Sequence, residues 1–79
     1  MGNDVSMTPV VIHIDETLNS ERREALLTAL REANGVIAVG YHNETPHLMI
    51  VVFNPKNMES RDVLGLVKSN GVHAELTGG

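Results

Sequence analysis

The sequence predicts an α+β sandwich in which two helices cover one face of a four-stranded antiparallel sheet. Two observations carry this prediction. Two segments repeat apolar residues at helical spacing, and four short segments around them either alternate apolar and polar residues or are rich in β-branched ones. The resulting order is βαββαβ. Because strand-crossover-strand units are right-handed, two such units in one sheet give the ferredoxin-like sandwich, with its second sheet face open.

The first strand follows a polar segment. Residues 1–8 have no periodicity, which is typical of a flexible tail. From Pro9 onward, Val10, Ile12 and Ile14 alternate with less apolar residues, as in a strand with one buried face.

The first helix is predicted over residues 20–33. Asn19 or Ser20 can cap its N-terminus, and Glu21 lies in the first turn, where the helix dipole favours negative charge. The pair Asn34-Gly35 is a good C-terminal stop. The residues of its apolar stripe are Leu26, Leu27, Leu30 and Ala33.

The second half of the chain predicts a hairpin, a helix and a last strand. Residues 36–41 and 47–53 are apolar and rich in β-branched side chains, and residues 43–46 between them have turn chemistry. A second amphipathic helix follows Ser60 and ends at Asn70-Gly71. The alternating residues of the last strand are Val72, Ala74 and Leu76.

Length and hydropathy predict one small domain. A chain of 79 residues supports a single core, so we assign residues 9–77 to one domain and residues 1–8 and 78–79 to tails. The longest apolar run, residues 48–53, is far shorter than the ~20 residues that cross a bilayer, and the N-terminus lacks a basic, apolar signal segment. We therefore expect no membrane insertion and a cytoplasmic location.

Composition excludes several classes of function. The absence of cysteine rules out disulfides, iron–sulfur clusters and thiolate metal sites. A net charge of -4, with one Tyr, one Phe and no Trp, lacks the basic surface and stacking platform of a nucleic-acid binder. No glycine-rich phosphate loop or serine with an evident histidine base is present either, so we expect no nucleic-acid partner and no enzymatic activity.

The pattern resembles the heavy-metal-associated domain family. The segment VVFNPKNMESRDVLGLVKSNGVHAEL is similar to the second half of that domain, and the first strand, the first helix and Gly35-Val36 are similar to its first half. The resemblance covers about seventy residues and implies the ferredoxin-like fold. The matching residues of the second half are Phe53, Asn54, Pro55, Val63, Val67, Gly71, Ala74 and Leu76.

The family's metal loop has no counterpart in the residue types of this chain. The family carries Met-Thr-Cys-x-x-Cys, in which two thiolates at a helix N-terminus bind a soft ion such as Cu(I). Alignment on Thr17 implies that Leu18 and Glu21 occupy the thiol positions. With the gap placed differently, Asn19 and Arg22 occupy them. Neither register supplies a soft ligand.

The loop itself has two interpretations. In the first, Leu18 anchors the core and Glu21 interacts with the helix dipole. In the second, Asp15, Glu16 and Glu21 bind a cation through oxygen ligands, although their spacing does not provide the six to eight oxygens that Ca²⁺ prefers.

The histidines offer a second candidate metal site. Strand alternation places His13 and His73 on the open sheet face, on adjacent antiparallel strands, and two imidazoles with a carboxylate can hold Zn²⁺ or Cu²⁺ weakly. The alternative is that these polar side chains simply face water. His42 and His47 flank the predicted hairpin turn and could approach each other across it.

Two functions remain open. The first is a protein-interaction or regulatory domain that binds a partner or a second copy through the open sheet face or an edge strand. Val11, Val51 and either Met49 or Leu48 would make that face partly apolar. The second is a non-thiolate metal-binding or transport domain that uses histidine or carboxylate ligands, with no cofactor beyond a weakly bound Zn²⁺ or Cu²⁺.

Overall fold

The fold is the predicted ferredoxin-like sandwich. The computed structural model describes residues 7–42 and 44–77. Its sheet has the strand order β2-β3-β1-β4, and every neighbouring pair is antiparallel. The elements are β1 (Thr8–Ile14), α1 (Ser20–Arg31), β2 (Val36–His42), β3 (Thr45–Phe53), α2 (Ser60–Lys68) and β4 (Ala74–Thr77).

Element boundaries differ from the predicted ones by a few residues. The hairpin is tighter than predicted because β3 already begins at Thr45 and includes Pro46. Helix α1 ends at Arg31 instead of residue 33, and β4 begins at Ala74 instead of Val72. Thr8, assigned to the tail, belongs to β1. The tails predicted at residues 1–6 and 78–79 lie outside the described residues.

Gly35 reverses the chain between α1 and β2. Its φ of 108° lies in the left-handed region that favours glycine. A Cβ at this position would lie 2.9 Å from Met58 Sδ and 3.0 Å from Asn57 Cβ. The position therefore requires glycine for both its backbone conformation and its space.

The core lies between the sheet and the two helices. Val10, Ile12 and Ile14 are buried as their alternation predicts. The prediction that Val51 or Met49 faces the open side is wrong, because both are fully buried against the helices. Their parity follows from the register, in which Met49 pairs with Ile12 and Val51 with Val10.

The face of the sheet opposite the helices is partly apolar. Of the two alternatives predicted for this face, Met49 and Leu48, Leu48 lies on it. Its neighbours there are Val11, Ile50 and Val52. Ile50 is 37% exposed, and the facing residue of β2 is Gly40, whose missing side chain leaves open space. We call Val11, Leu48, Ile50 and Val52 the apolar patch.

Strands β2 and β4 are the edges of the sheet. Charged residues and proline commonly protect an edge strand from further pairing. None of the seven residues of β2 is Asp, Glu, Lys, Arg or Pro. A register shift between Val36 and Ala38 leaves Ile37 46% exposed. Neither α1 nor α2, the helices of the described part of the chain, is long and apolar enough to cross a membrane.

Candidate functional site

One end of the sheet collects most of the polar side chains singled out in the sequence. β1 runs antiparallel to both of its neighbours, so the end of β1 lies beside the starts of β3 and β4. Three histidines lie at this end: His13 on β1, His47 on β3, and His73 just before β4. The loop from Asp15 to Asn19 leaves the sheet at the same place.

Glu16 and His73 form the best-defined polar contact of this end. The backbone N–H of His73 donates to both carboxylate oxygens of Glu16, at 2.9 and 3.1 Å, and His73 Nδ1 lies 2.7 Å from Glu16 Oε2. The backbone N–H of Asp15 donates to His73 O at 2.8 Å. These bonds connect the β1–α1 loop to the segment before β4. We call this contact the Glu16–His73 pair.

The Glu16–His73 pair changes the pKa of both residues in the direction that favours their charged forms. The side-chain hydrogen bond from His73 lowers the pKa of Glu16 below its ordinary 4.5, and the backbone N–H of His73 adds to this effect. The same side-chain bond, followed by the attraction of the Glu16 charge, raises the pKa of His73 above its ordinary 6.5. The pair stabilises the fold only modestly, because the His73 side chain is 84% exposed.

A pH dependence follows from these directions. The contribution of Glu16 is present above pH 4.5 and is lost as the pH falls through its lowered pKa. The contribution of His73 is present below pH 6.5 and is lost as the pH rises through its raised pKa. Both groups therefore contribute fully between pH 4.5 and 6.5.

We expect Glu16→Gln to return the His73 pKa toward 6.5, measured by NMR titration of the imidazole. Glu21→Gln removes the same charge from an exposed position in the first turn of α1 and is the matched control. An unchanged His73 pKa in the Glu16 variant would contradict the assigned cause.

The two pairs of residues that could align with the family's cysteines, Leu18 with Glu21 and Asn19 with Arg22, differ in their surroundings. Leu18 is half-buried and packs against the core, as the first interpretation of the loop predicts, whereas Glu21 is exposed in the first turn of α1. Asn19 is the N-cap, and its Oδ1 accepts the backbone N–H of Arg22 at 2.7 Å. The side chain of residue 19 thus contacts the backbone N–H of residue 22, the other position of the second register.

His13 and His73 lie on the same end of the sheet, at diagonal positions. His13 is directly opposite Glu75, two residues beyond His73 on the neighbouring strand. Diagonal residues of an antiparallel pair are about 7–8 Å apart. His73 Nδ1 is engaged by Glu16, and His13 Nδ1 lies 3.3 Å from Asp15 Oδ1.

His13 contacts His47, a residue that the sequence interpretation had placed only at the hairpin turn. The two rings stack with centroids 5.7 Å apart and planes inclined by 18°. His47 Nδ1 lies 2.7 Å from Ile14 O. The side chain of His42, the expected neighbour of His47, lies outside the described part of the chain. Regular pairing places Leu48 opposite His13 and gives His47 the parity of the buried Met49, so no signal in the sequence indicates the contact between His13 and His47.

Within residues 7–42 and 44–77, no three His, Asp or Glu side chains are close enough together to hold one metal ion. The thiolate chemistry of heavy-metal-associated domains does not fit either, since the chain has no cysteine at any position. Cu(I) transfer between thiolates is therefore not a reaction of this loop.

Solved structures of other proteins share this fold. Oxidised MerP from Ralstonia metallidurans superposes with a TM-score of 0.80 at 15% identity, covering 92% of this chain and 100% of that chain. The N-terminal domain of a potential copper-translocating P-type ATPase from Bacillus subtilis, solved in the Cu(I)-loaded state, gives 0.80 at 18% identity, covering 92% and 90%. The apo HMA domain of the copper chaperone for superoxide dismutase gives 0.76 at 22% identity, covering 99% and 74%.

Comparison of sequences alone finds no relative: no protein-family model matches the chain, and no curated protein does. Identities below 25% support a shared fold and nothing finer. The protein therefore has the fold of the heavy-metal-associated domains and none of the cysteines through which that family binds soft ions.

Proposed function

We propose that the protein is a non-enzymatic protein-interaction domain that uses the open face of its sheet to bind a partner. The observation that carries this proposal is the apolar patch. Four apolar side chains share one face of the sheet at adjacent register positions, and no helix of the described chain covers them. Ile50 is exposed and the other three are half-buried. Contiguous apolar surface marks interaction sites more often than scattered apolar residues do.

The edge strand β2 extends this surface. Between the register shifts near its two ends, β2 lies beside β3 and the apolar patch, so a partner strand added at β2 would continue the same sheet face. Main-chain hydrogen bonds at the edge would supply affinity, and side chains packed on Ile50 and Val52 would supply specificity.

Site-specific photocrosslinking tests this proposal. A photoreactive amino acid replaces Ile50 on the open face in one variant and Thr28 on the exposed side of α1 in a matched variant. In a lysate of the cells that produce the protein, we expect a discrete adduct from position 50 that excess unlabelled protein competes away. Equal adducts from both positions would contradict a role for the sheet face.

A second candidate function is the binding of a divalent metal ion through non-thiolate ligands. The observation that favours it is the collection of His13, His47 and His73 at one end of the sheet. The ligand sets proposed from the sequence are His13 with His73, and Glu16 with Glu21. Of these residues, Glu16 and His73 already bind each other, and the carboxylate of Glu21 lies on the exposed first turn of α1.

A further inference from the structure

The charged residues of the chain are distributed unevenly over the fold. Among Asp, Glu, Lys and Arg, the four strands contain a single residue, Glu75 on β4. Every basic residue lies in a helix or in the loop between β3 and α2, so the sheet of the described chain carries no Lys or Arg side chain. The basic residues are Arg22, Arg23, Arg31, Lys56, Arg61 and Lys68.

Glu75 shares the open sheet face with the apolar patch. It lies opposite His13 on β1, and His13 lies opposite Leu48 on β3, so these three residues form one row across three strands. In the next row of the same face, Val11 lies opposite Ile50. The face is therefore apolar on β3 and negatively charged on β4.

The charge of Glu75 is open to a partner. Its side chain is exposed, and the described ranges contain one ion pair between a Lys or Arg and a carboxylate, Arg61 with Glu59 at 3.1 Å on α2. Two more exposed carboxylates lie at the same end of the sheet, Asp15 just after β1 and Glu44 just before β3. The border of the apolar patch at this end is thus complementary to a positively charged partner.

We propose that the partner of the open sheet face is a basic amphipathic helix, whose apolar stripe packs on the apolar patch and whose Lys or Arg side chains pair with Glu75 at its border. The inference rests on the proposed protein-interaction function and names the chemistry of the partner. Apolar contact supplies most of the affinity of such an interface, and complementary charge at its rim sets the orientation and the rate of association.

Two other occupants of this face do not match the charge of Glu75. A strand added at the β2 edge would lie four strand spacings from β4, about 19 Å, which is beyond the reach of one side chain. A second copy stacked face to face would bring no Lys or Arg, because its strands contain none. A helix about 10 Å wide that lies across β3 and β1 covers the patch and adjoins β4.

The test uses the full ¹⁵N-labelled chain and two synthetic helical peptides of about 18 residues. In the first, a stripe of leucines is flanked by lysines, and in the second, glutamate replaces every lysine. We expect the lysine peptide to cause saturable ¹H–¹⁵N shifts centred on Val11, Ile50 and Glu75, with a Kd at or below about 1 mM. The glutamate peptide should cause none there. Added salt should weaken the binding of the lysine peptide, because salt screens exposed charge pairs.

Two variants measure the contribution of the charge. Glu75→Lys replaces attraction with repulsion and should weaken binding of the lysine peptide about fivefold. Glu32→Lys makes the same change of net charge at an exposed position at the C-terminal end of α1, and it should leave binding within about twofold.

Several results would overturn the inference. Equal shifts from the two peptides, or equal losses in the two variants, would remove the role of charge while keeping the open face as the binding surface. Shifts centred on α1, or no shifts with the lysine peptide, would remove the basic helix as the partner. The photocrosslink from position 50 reports any partner of the face and can succeed where this test fails. The comparison of the two peptides uses the unmodified chain, so it does not depend on the folding of either variant.

Discussion

A double variant with Asn19→Cys and Arg22→Cys is expected to bind one Cu(I) ion per chain at about 1 µM ion, where the parent chain binds none at this loop. Two thiolates three residues apart at a helix N-terminus form a site for a soft ion, and the helix dipole lowers the pKa of both thiols. In the parent loop the Asn19 side chain already reaches the backbone of residue 22, because Asn19 Oδ1 accepts the Arg22 backbone N–H at 2.7 Å. Removal of this N-cap costs about 1 kcal/mol, which circular dichroism of α1 monitors.

The matched control is the other register, Leu18→Cys with Glu21→Cys. Leu18 packs against the core while Glu21 is exposed, so these thiols begin in different environments and we expect weaker Cu(I) binding. Competition with a chromogenic Cu(I) chelator under reducing conditions measures both variants. Tighter binding by the Leu18 and Glu21 pair would favour the alignment on Thr17, and an absence of binding in both would show that more than the thiols has been lost.

Phe53→Ala is expected to lower the free energy of unfolding by about 3–5 kcal/mol. Phe53 is the one phenylalanine of the chain, is 2% exposed, and belongs to the core cluster of the described residues. Domains of this size have about 4–12 kcal/mol of stability, at roughly 0.05–0.15 kcal/mol per residue. The variant should therefore be partly unfolded or close to it.

Urea unfolding followed by circular dichroism measures this loss. Ile37→Ala also truncates an apolar side chain to alanine, but at a position that is 46% exposed, and it should change the free energy of unfolding by no more than about 0.5 kcal/mol. Equal losses in the two variants would contradict the assignment of Phe53 to the core.

The sequence predicted the element order and the inward face of β1 because both depend on local periodicity. Val10, Ile12 and Ile14 reach one face through alternation alone, and Asn19 begins α1 through local cap chemistry. The same reasoning failed for Met49 and Val51. β3 is apolar on both faces, so its sequence does not show which face is buried.

The candidate site was less predictable because its contacts join distant residues. Glu16 and His73 are 57 residues apart in the chain, and His47 and Ile14 are 33 apart. Both contacts depend on the register of β1 against its two neighbours, and a shift of one residue would reverse every side chain. Sequence alternation placed His13 and His73 on a common face, but it could not predict that His73 would contact Glu16 or that His13 would contact His47.

The most direct test of the account uses the partner captured through position 50. Isothermal titration calorimetry measures its affinity for the parent chain, for Ile50→Lys and for Thr28→Lys. Ile50→Lys places a charge on the apolar patch, and Thr28→Lys places the same charge on the exposed side of α1. The account predicts that Ile50→Lys weakens binding about tenfold or more while Thr28→Lys leaves it within about twofold. Unchanged affinity in Ile50→Lys, or a larger loss in Thr28→Lys, would contradict binding through the open sheet face.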